Sequence, residues 1–409
     1  MRTTVASLKR TNWSSSPSGT ELCEQTDRRV APDAIACVPI RDKGKQSLKV
    51  SKQAIWIDLD NSPHVPLFLP VIERYRKAGI DVIVTARDHS QTIQLLDIAG
   101  LGGKFDVVGR HAGKNKFRKV HALFSRAFQL ISFIKKTGFA KDGIAVAVSH
   151  GSRSMVLAAR WLRIPVITMY DYEFTETVIF NRLSNKVIVP DRIPDAVLDE
   201  IGLPPAKRWK YPGIKEELYV RKFQPTPDFR RLFFLEHGAG TPVEKVLAVI
   251  RPPATTANYH SEESDVLLDS ILRFLFDAPD VFTVVVPRTV EQAKEIKSRI
   301  AGILQAQQRC LILDKAVNGL DLAFAADLLI SGGGTMNREA ALLGVPVYSI
   351  FAGRQGSLDR QMEKDGLITF IRDARDLSKV RLELRDSHLK TGLTDRVEKF
   401  VIEQIDSFL

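Results

Sequence analysis

Short apolar runs alternate with amphipathic segments from residue 53 onward. This alternation is typical of parallel β-sheets covered by helices. It predicts an α/β protein in which two Rossmann-like doubly wound domains enclose an interdomain cleft. We expect these domains at 53–215 and 231–385, a linker at 216–230 and a terminal amphipathic helix within 386–409. The predicted strands are 54–59, 81–86, 105–109, 145–150, 165–170 and 186–190 in the first half, and 246–251, 282–287, 310–314, 328–331, 346–351 and 368–372 in the second.

The first 52 residues differ from the rest, because Ser, Thr and charged residues predominate and no apolar period is sustained. Such a composition predicts a disordered tail. The segment is either a transit peptide or the product of an overextended gene start. Acidic residues at 21, 24 and 27 argue against a transit peptide.

Composition narrows the class of protein. A chain of 409 residues is long for one core, which favours two domains. No apolar run approaches the roughly 20 residues that a membrane-spanning helix needs. The three cysteines, at 23, 37 and 310, have no metal-ligand spacing. We therefore expect a cytoplasmic protein without a cysteine zinc site.

Three consecutive glycines, Gly332, Gly333 and Gly334, follow an apolar strand and open a helix near Thr335. Glycine lets the backbone approach an anion closely, and the amide groups of a helix N-terminus favour negative charge. Glu339 lies about one turn into that helix, where its carboxylate can accept two sugar hydroxyls. The pattern predicts a phosphate site, and the alternative is a turn whose glycines serve packing alone.

Other polar residues cluster where predicted strands end, which is where open α/β sheets bind ligands. In the first half these residues are Asp58, Asp60, Asn61, Ser62, His64, His150, Ser152, Arg153, Tyr170, Asp171, Tyr172 and Glu173. In the second half they are Arg251, Arg288, Thr289 and the glycine loop.

Seven motifs are Ile57-Asp58 with Asn61-Ser62-Pro63-His64, Thr85-Ala86-Arg87-Asp88, Val148-Ser149-His150-Gly151-Ser152, Tyr211-Pro212-Gly213-Ile214-Lys215-Glu216, Val249-Ile250-Arg251-Pro252, Pro287-Arg288-Thr289 and Gly332-Gly333-Gly334-Thr335-Met336-Asn337-Arg338-Glu339-Ala340-Ala341. Together they resemble domain-of-unknown-function family 354, an uncharacterised prokaryotic family of predicted glycosyltransferases. More distantly, the chain is similar to GT-B enzymes, including the N-acetylglucosaminyltransferase of peptidoglycan synthesis and the non-hydrolysing UDP-N-acetylglucosamine 2-epimerases. The resemblance implies a UDP-sugar or similar nucleotide-sugar donor on the second domain and an acceptor on the first.

For the donor, the resemblance implies that the loop 332–335 holds the diphosphate and Glu339 the ribose. Arg251, with Arg288 beside it, would add charge-assisted hydrogen bonds to phosphate. We expect activation by the helix dipole and arginine, without a metal or another cofactor. The alternatives are a solvated helix carboxylate at Glu339 and a surface ion pair at Arg251.

The predicted acceptor side contains three candidate catalytic residues, His64, Asp60 and Glu173. His64 is placed like a histidine of related transferases and is suited to accept the proton of an acceptor hydroxyl. Asp60 and Asp58 are alternatives, of which one would be the base and the other a helix cap. Asn61, His150, Ser152 and Asp171 are predicted to contact the acceptor, with a helix cap as the alternative for His150 and Ser152.

An epimerase is the main rival. Asp171-Tyr172-Glu173 followed by Asn181-Arg182 resembles a segment of the epimerases, so that Glu173 is a candidate acid or base. The His-Arg-Arg-Glu segment of those enzymes is absent, and Arg251-Pro252-Pro253 stands in its place. Epimerisation needs placed acid and base partners, so transfer is favoured. A non-catalytic sugar-nucleotide or glycan-binding protein is the third possibility.

Charge adds one further expectation. Residues 104–141 contain ten Lys or Arg and one acid, in a chain of net charge +11. Apolar residues recur there at helical spacing. The segment is either a buried helix with a solvated basic face or a surface that rests on anionic lipid at the inner membrane face. A lipid-contacting surface would suit a glycan or lipid-linked acceptor, as in polysaccharide or glycolipid synthesis. The positive charge is not accompanied by a recognisable nucleic-acid-binding module.

Overall fold

The structure is a computed structural model, and it describes residues 53–89, 91–110, 116–139, 143–238, 244–253, 262–386 and 392–409. The predicted tail, together with Cys23 and Cys37, lies outside these residues. Within them, the strands form two sheets in which every pairing is parallel. In chain order the strands are β1 (Ala54–Leu59), β2 (Val82–Asp88), β3 (Asp106–Arg110), β4 (Ile144–His150), β5 (Val166–Met169), β6 (Lys186–Pro190), β7 (Arg208–Tyr211), β8 (Val246–Arg251), β9 (Val281–Val285), β10 (Cys310–Ile312), β11 (Leu328–Ser331), β12 (Val347–Ser349) and β13 (Thr369–Phe370).

The strand order confirms the predicted doubly wound architecture. The first sheet has the order β3-β2-β1-β4-β5-β6-β7, and the second has β10-β9-β8-β11-β12-β13. In each sheet the order reverses beside the first strand, which places a ligand crevice at the carboxyl ends of the central strands.

Helices cover both faces of the two sheets. They are α1 (His64–Lys77), α2 (Thr92–Ile98), α3 (Lys116–Lys136), α4 (Arg153–Trp161), α5 (Val178–Leu183), α6 (Asp195–Glu200), α7 (Glu217–Val220), α8 (Phe229–Glu236), α9 (Glu262–Asp277), α10 (Val290–Ile300), α11 (Leu304–Arg309), α12 (Gly319–Ala325), α13 (Gly334–Leu342), α14 (Ser357–Lys364) and α15 (Arg396–Asp406), with short 3-10 helices at Pro205–Lys207 and Ala374–Lys379. Because both sheet faces are covered, the central strands read as continuous apolar runs, and all six residues of β1 are buried.

The last helix, α15, packs against the first sheet although it follows the second one in the chain. It buries Val397, Val401 and Ile405. The hydroxyl of Tyr75 in α1 donates to Asp406 Oδ1 over 2.7 Å. The chain therefore returns to its first half, which ties the two halves together.

Helix α3 is the amphipathic segment within the basic stretch. Its inner face buries Ala127, Leu130 and Ile134 against the first sheet. Its outer face exposes Val120, Phe124 and Phe128, spaced four residues apart. The helix thus has both a buried face and an exposed apolar stripe. Nowhere in the described ranges is a helix long and apolar enough to cross a membrane.

Candidate functional site

The glycine loop joins β11 to α13 at the carboxyl edge of the second sheet. A Cβ atom at Gly332 would lie 2.6 Å from the Cα of Pro253, so no other residue fits there without moving backbone. The hydroxyl of Ser331 accepts from the N–H of Gly333 over 3.1 Å. Gly333 packs against the guanidinium of Arg288, which a side chain at 333 would displace. Gly332 is therefore required by close approach to backbone, next to a helix N-terminus that lacks a side-chain cap.

Two arginines flank this loop. Arg251 donates through Nη1 to the carbonyls of Val286 and Pro287 over 3.2 and 3.1 Å, and Arg288 donates through Nε to Pro252 over 3.0 Å. Burial, followed by repulsion from Arg288, lowers the pKa of Arg251 to about 9. Two like charges near a helix N-terminus are stabilised by a bound anion.

Glu339 lies in the same helix, one turn from its start, and its side chain is buried. Its Oε1 accepts from the hydroxyl of Tyr219 in α7 over 2.6 Å. Burial raises the pKa of Glu339 to about 7, although Tyr219, Lys215 and Arg251 partly oppose that rise. Glu339 is therefore a buried carboxylate, and the alternative of a solvated helix carboxylate is wrong. The loop 332–335, Arg251, Arg288 and Glu339 all meet at one edge of the second sheet.

On the first sheet, Asp60 and His64 form a turn at the end of β1. The backbone N–H of Asp60 donates to His64 Nδ1 over 3.2 Å. Burial, followed by the proximity of His150, Lys215 and Arg87, holds the pKa of His64 well below its usual value. The imidazole is therefore neutral, and its proton lies on Nε2.

Asp60 Oδ1 lies 3.3 Å from Arg87 Nε and 3.1 Å from Arg126 Nη1. Burial raises the pKa of Asp60, and the two arginines oppose that rise. Asn61 is exposed, and its Oδ1 accepts from the N–H of Ser62 over 2.9 Å.

Ser152 and Asp58 belong to a buried polar cluster under the strand ends. The hydroxyl of Ser152 donates to Asp58 Oδ2 over 2.5 Å and accepts from Met155 N as the N-cap of α4. Asp58 also accepts from Arg126 Nη2 over 2.8 Å and from Thr85 over 2.6 Å. These contacts match the helix-cap alternative for Ser152 and leave its side chain fully buried.

A second cluster of charges crosses the cleft. Asp171, after β5, lies 2.6 Å from Lys215 Nζ and contacts Arg338 of α13. Arg338 also donates to Asp359 Oδ1 through Nε and Nη2, over 3.1 and 2.8 Å. Burial alone would raise the pKa of Asp171, but Lys215 and Arg338 hold it well below its usual value. The carboxyl ends of the two sheets therefore face each other.

His150 and Glu173 lie beside this cluster. His150 Nε2 is 3.5 Å from Asp171 Oδ1, and its ring centroid is 5.1 Å from that of His64. Glu173 is buried, and its Oε1 accepts from the N–H and the hydroxyl of Ser357 over 2.7 and 2.6 Å. Glu173 thus caps α14 across the cleft.

Several buried residues of the site were not predicted to belong to it, among them Arg126, Lys215, Glu216 and Tyr219. Arg126 belongs to the basic stretch 104–141, yet it shares the helical face of Leu130 and Ile134, a period that indicates burial. Lys215 and Glu216 belong to a motif that carries the family resemblance, which was the available signal.

Two parallel doubly wound sheets with facing carboxyl ends define a GT-B-like fold. Residues 53–406 match the protein family of unknown function DUF354, and the chain belongs to that family. An uncharacterized protein of Methanocaldococcus jannaschii is 27% identical over 325 residues, which cover 77% of this chain and 86% of that protein.

Solved structures with the same fold include UDP-N-acetylglucosamine 2-epimerases. The Neisseria meningitidis enzyme bound to UDP-GlcNAc has a TM-score of 0.62 and 14% identity, covering 87% of this chain and 100% of that chain. The S. aureus MnaA structure with UDP has a TM-score of 0.64 and 13% identity, covering 87% and 98%. Anabaena HepE in complex with UDP-glucose has a TM-score of 0.52 and 15% identity, covering 80% and 88%. At these identities the similarity establishes the fold.

Proposed function

We propose that this protein is a UDP-sugar-dependent glycosyltransferase. The observation that carries the proposal is the convergence of Arg251, Arg288 and Glu339 on a glycine loop that opens a helix. The helix N-terminus and the two arginines suit a diphosphate, whose departure from the sugar needs its charge stabilised. Glu339 suits the ribose hydroxyls. Because the helix N-terminus and the two arginines can stabilise the charge of the diphosphate, the proposed reaction requires no metal.

An epimerase is the second candidate, because several solved structures of this fold are epimerases. Two features of the chain favour transfer. Both hydrogen bonds that Glu173 Oε1 accepts come from Ser357, which gives this carboxylate a structural task as a helix cap. The strand end at Arg251-Pro252-Pro253 supplies neither His nor Glu. Reversible proton transfer at a sugar carbon needs an acid and a base in place.

Nucleotide binding is tested by thermal stabilisation with UDP. We expect UDP to raise the melting temperature of the wild type, and Glu339→Ala and Arg251→Ala to reduce that shift. Glu200→Ala changes an exposed glutamate on α6 and serves as the control, because it leaves the donor site intact. A wild type that responds to no nucleotide would count against the proposal.

The reaction is tested with UDP-N-acetylglucosamine. Incubation of the sugar nucleotide alone, followed by chromatography of the products, separates the candidates. An epimerised sugar supports the second candidate. Turnover that depends on an added glycan or lipid-linked acceptor supports transfer, whereas binding without turnover under either condition supports a non-catalytic protein.

The exposed apolar stripe of α3 suits peripheral contact with an anionic membrane. Such contact is expected of an enzyme that acts on a lipid-linked acceptor. Val120, Phe124 and Phe128 are half exposed or more, within a stretch of strong positive charge. The hydroxyl of Ser154 donates to the carbonyl of Leu123 over 3.2 Å, so this part of α3 lies beside the first turn of α4 and the strand ends. A bilayer here would present an acceptor near the cleft from the inner membrane face.

Liposome flotation tests this contact. We expect the wild type to float with anionic vesicles and not with neutral ones, and the double substitution Phe124→Ser, Phe128→Ser to abolish flotation. Val266→Ser removes an equally exposed apolar side chain from α9 of the second domain and should leave flotation unchanged. Equal indifference of the wild type to both lipids would remove the membrane contact from the proposal.

A further inference from the structure

His150 lies at the centre of the acceptor side. It ends β4, beside the end of β1, and its ring lies between His64 and Asp171. The side chain keeps 15% exposure, but Nε2 is buried. Among the residues that the structure describes, Nε2 has no hydrogen-bond partner, and Asp171 Oδ1 lies 3.5 Å from it. In catalytic sites without substrate, hydrogen bonds are often long or poorly aligned and tighten when the substrate binds.

The state of Asp171 determines which nitrogen of His150 carries the proton. Lys215 Nζ lies 2.6 Å from Asp171 Oδ2, and Arg338 contacts the same oxygen. Two cations keep the carboxylate ionised, so that it acts only as an acceptor. The nitrogen facing it, Nε2, is therefore the donor. The lone pair of the imidazole then lies on Nδ1, on the side of the ring away from the buried carboxylate.

His64 has the opposite arrangement. Its Nδ1 already accepts the backbone N–H of Asp60, and its remaining nitrogen carries a proton. To act as a base it would have to change tautomer and break that hydrogen bond. His64 is thus a hydrogen-bond donor beside His150, with a ring 5.1 Å away.

We propose that His150, oriented by Asp171, is the general base that activates the acceptor hydroxyl. This assignment rests on the proposed transferase function. In the step, the acceptor oxygen forms a bond to the sugar C1 while the bond from C1 to the diphosphate oxygen breaks. The hydroxyl proton passes to His150 Nδ1, UDP leaves with the electron pair, and the imidazolium is stabilised by the Asp171 carboxylate. Asp171 acts as a positioning residue.

The ring geometry is tested without substrate by long-range proton–nitrogen NMR of the protein labelled in histidine. We expect both His64 and His150 to carry their proton on Nε2, with the signals assigned by their loss in His64→Asn and His150→Gln. In Asp171→Asn, checked for folding by circular dichroism, we expect His150 to populate both tautomers. A wild-type His150 protonated on Nδ1 would overturn the proposal, and that measurement does not depend on how the variants fold.

Catalysis is tested with UDP-N-acetylglucosamine and water, the smallest hydroxyl acceptor, by following UDP release. The amide of His150→Gln can still donate to Asp171, and the amide oxygen of His64→Asn can still accept from Asp60. We expect His150→Gln to lower kcat by roughly 100-fold or more with KM nearly unchanged, the range of a lost general base, and His64→Asn to lower it by much less. Equal losses in both variants, or full activity of His150→Gln, refute the assignment. Thermal stabilisation by UDP should survive in both variants, and its absence from the wild type would contradict the donor site instead.

Discussion

The buried carboxylate of Glu339 has opposite effects on the stability of the folded protein and on the proposed nucleotide binding. The substitution Glu339→Gln separates these two effects. The carboxylate is buried beside Tyr219, whose hydroxyl donates to Oε1 over 2.6 Å. A glutamine keeps that acceptor oxygen and nearly the same volume. It removes the negative charge. That charge destabilises the folded protein because it is buried, but we propose that it binds the ribose hydroxyls.

The size of the conflict follows from the pKa of Glu339, which burial raises from 4.5 to about 7. Because the folded state holds this proton more tightly than the unfolded state, the stability it contributes is complete below 4.5. That stability is lost as the pH rises through 7. A difference of this size corresponds to about 3 kcal/mol, since each unit of pKa is worth about 1.4 kcal/mol. We therefore expect Glu339→Gln to stabilise the free protein by up to about 3 kcal/mol near pH 8 and by almost nothing near pH 4.

Binding should change in the opposite direction. Hydrogen bonds to a charged acceptor are worth about 1.5–3 kcal/mol, so that the variant should bind UDP at least about tenfold more weakly. In the wild type, UDP affinity should fall as the pH drops below 7, because the carboxylate must then lose a proton to bind. Lys215, Glu216, Arg251 and Tyr219 face the same group and remain in the variant.

Urea unfolding at the two pH values and calorimetric titration with UDP measure these effects. Glu200→Gln, an exposed substitution on α6, is the matched control and should change neither quantity. A stability gain that is the same at both pH values would refute the electrostatic account of Glu339. Unchanged UDP affinity in the variant would refute its role in binding.

Two further predictions concern close packing at Gly332 and the buried ion pairs of Arg338. Gly332→Ala should abolish stabilisation by UDP, because its Cβ would lie 2.6 Å from the backbone of Pro253, whereas Gly302→Ala enters open space and should leave UDP binding intact. Thermal-shift assays compare the two, and normal UDP binding by the first variant would contradict the close approach. Arg338→Met should destabilise the protein by about 3–5 kcal/mol, since it leaves buried carboxylates without their partner, as urea unfolding would show. Removing the exposed Arg375 should have no measurable effect, and an equal loss in both variants would argue against the buried cluster.

The apolar pattern predicted the fold because fully covered parallel sheets require continuous apolar strands. β6 has the predicted bounds, Lys186–Pro190, and all five residues lie inside the sheet with four of them buried. β7 was missed because Arg208, Trp209 and Lys210 are not an apolar run. They lie on an edge strand, where only Tyr211 is fully buried. Sequence patterns find strands that are covered on both faces and overlook edges that are not.

The same distinction explains which parts of the site could be predicted. The glycine loop and Glu339 share one strand, one turn and one helix, so that their proximity follows from local sequence. Arg126 reaches Asp58 across 68 positions and Tyr219 reaches Glu339 across 120. Such contacts depend on which strand ends meet after folding, and no periodicity encodes them.

Helix α13 unites the two sides of the cleft in consecutive residues. Glu339 faces the glycine loop and Arg251, whereas Arg338 reaches Asp171 on the other sheet. The helix whose N-terminus would receive the diphosphate is thus fixed to the strand end that holds His150 in place. Separating the two sheets would break the buried ion pair between Arg338 and Asp171, whose attraction is strong in a low-dielectric interior. The proposed diphosphate loop and the proposed base are therefore held in one arrangement by α13, and preorganisation of this kind is what electrostatic stabilisation of a transition state requires.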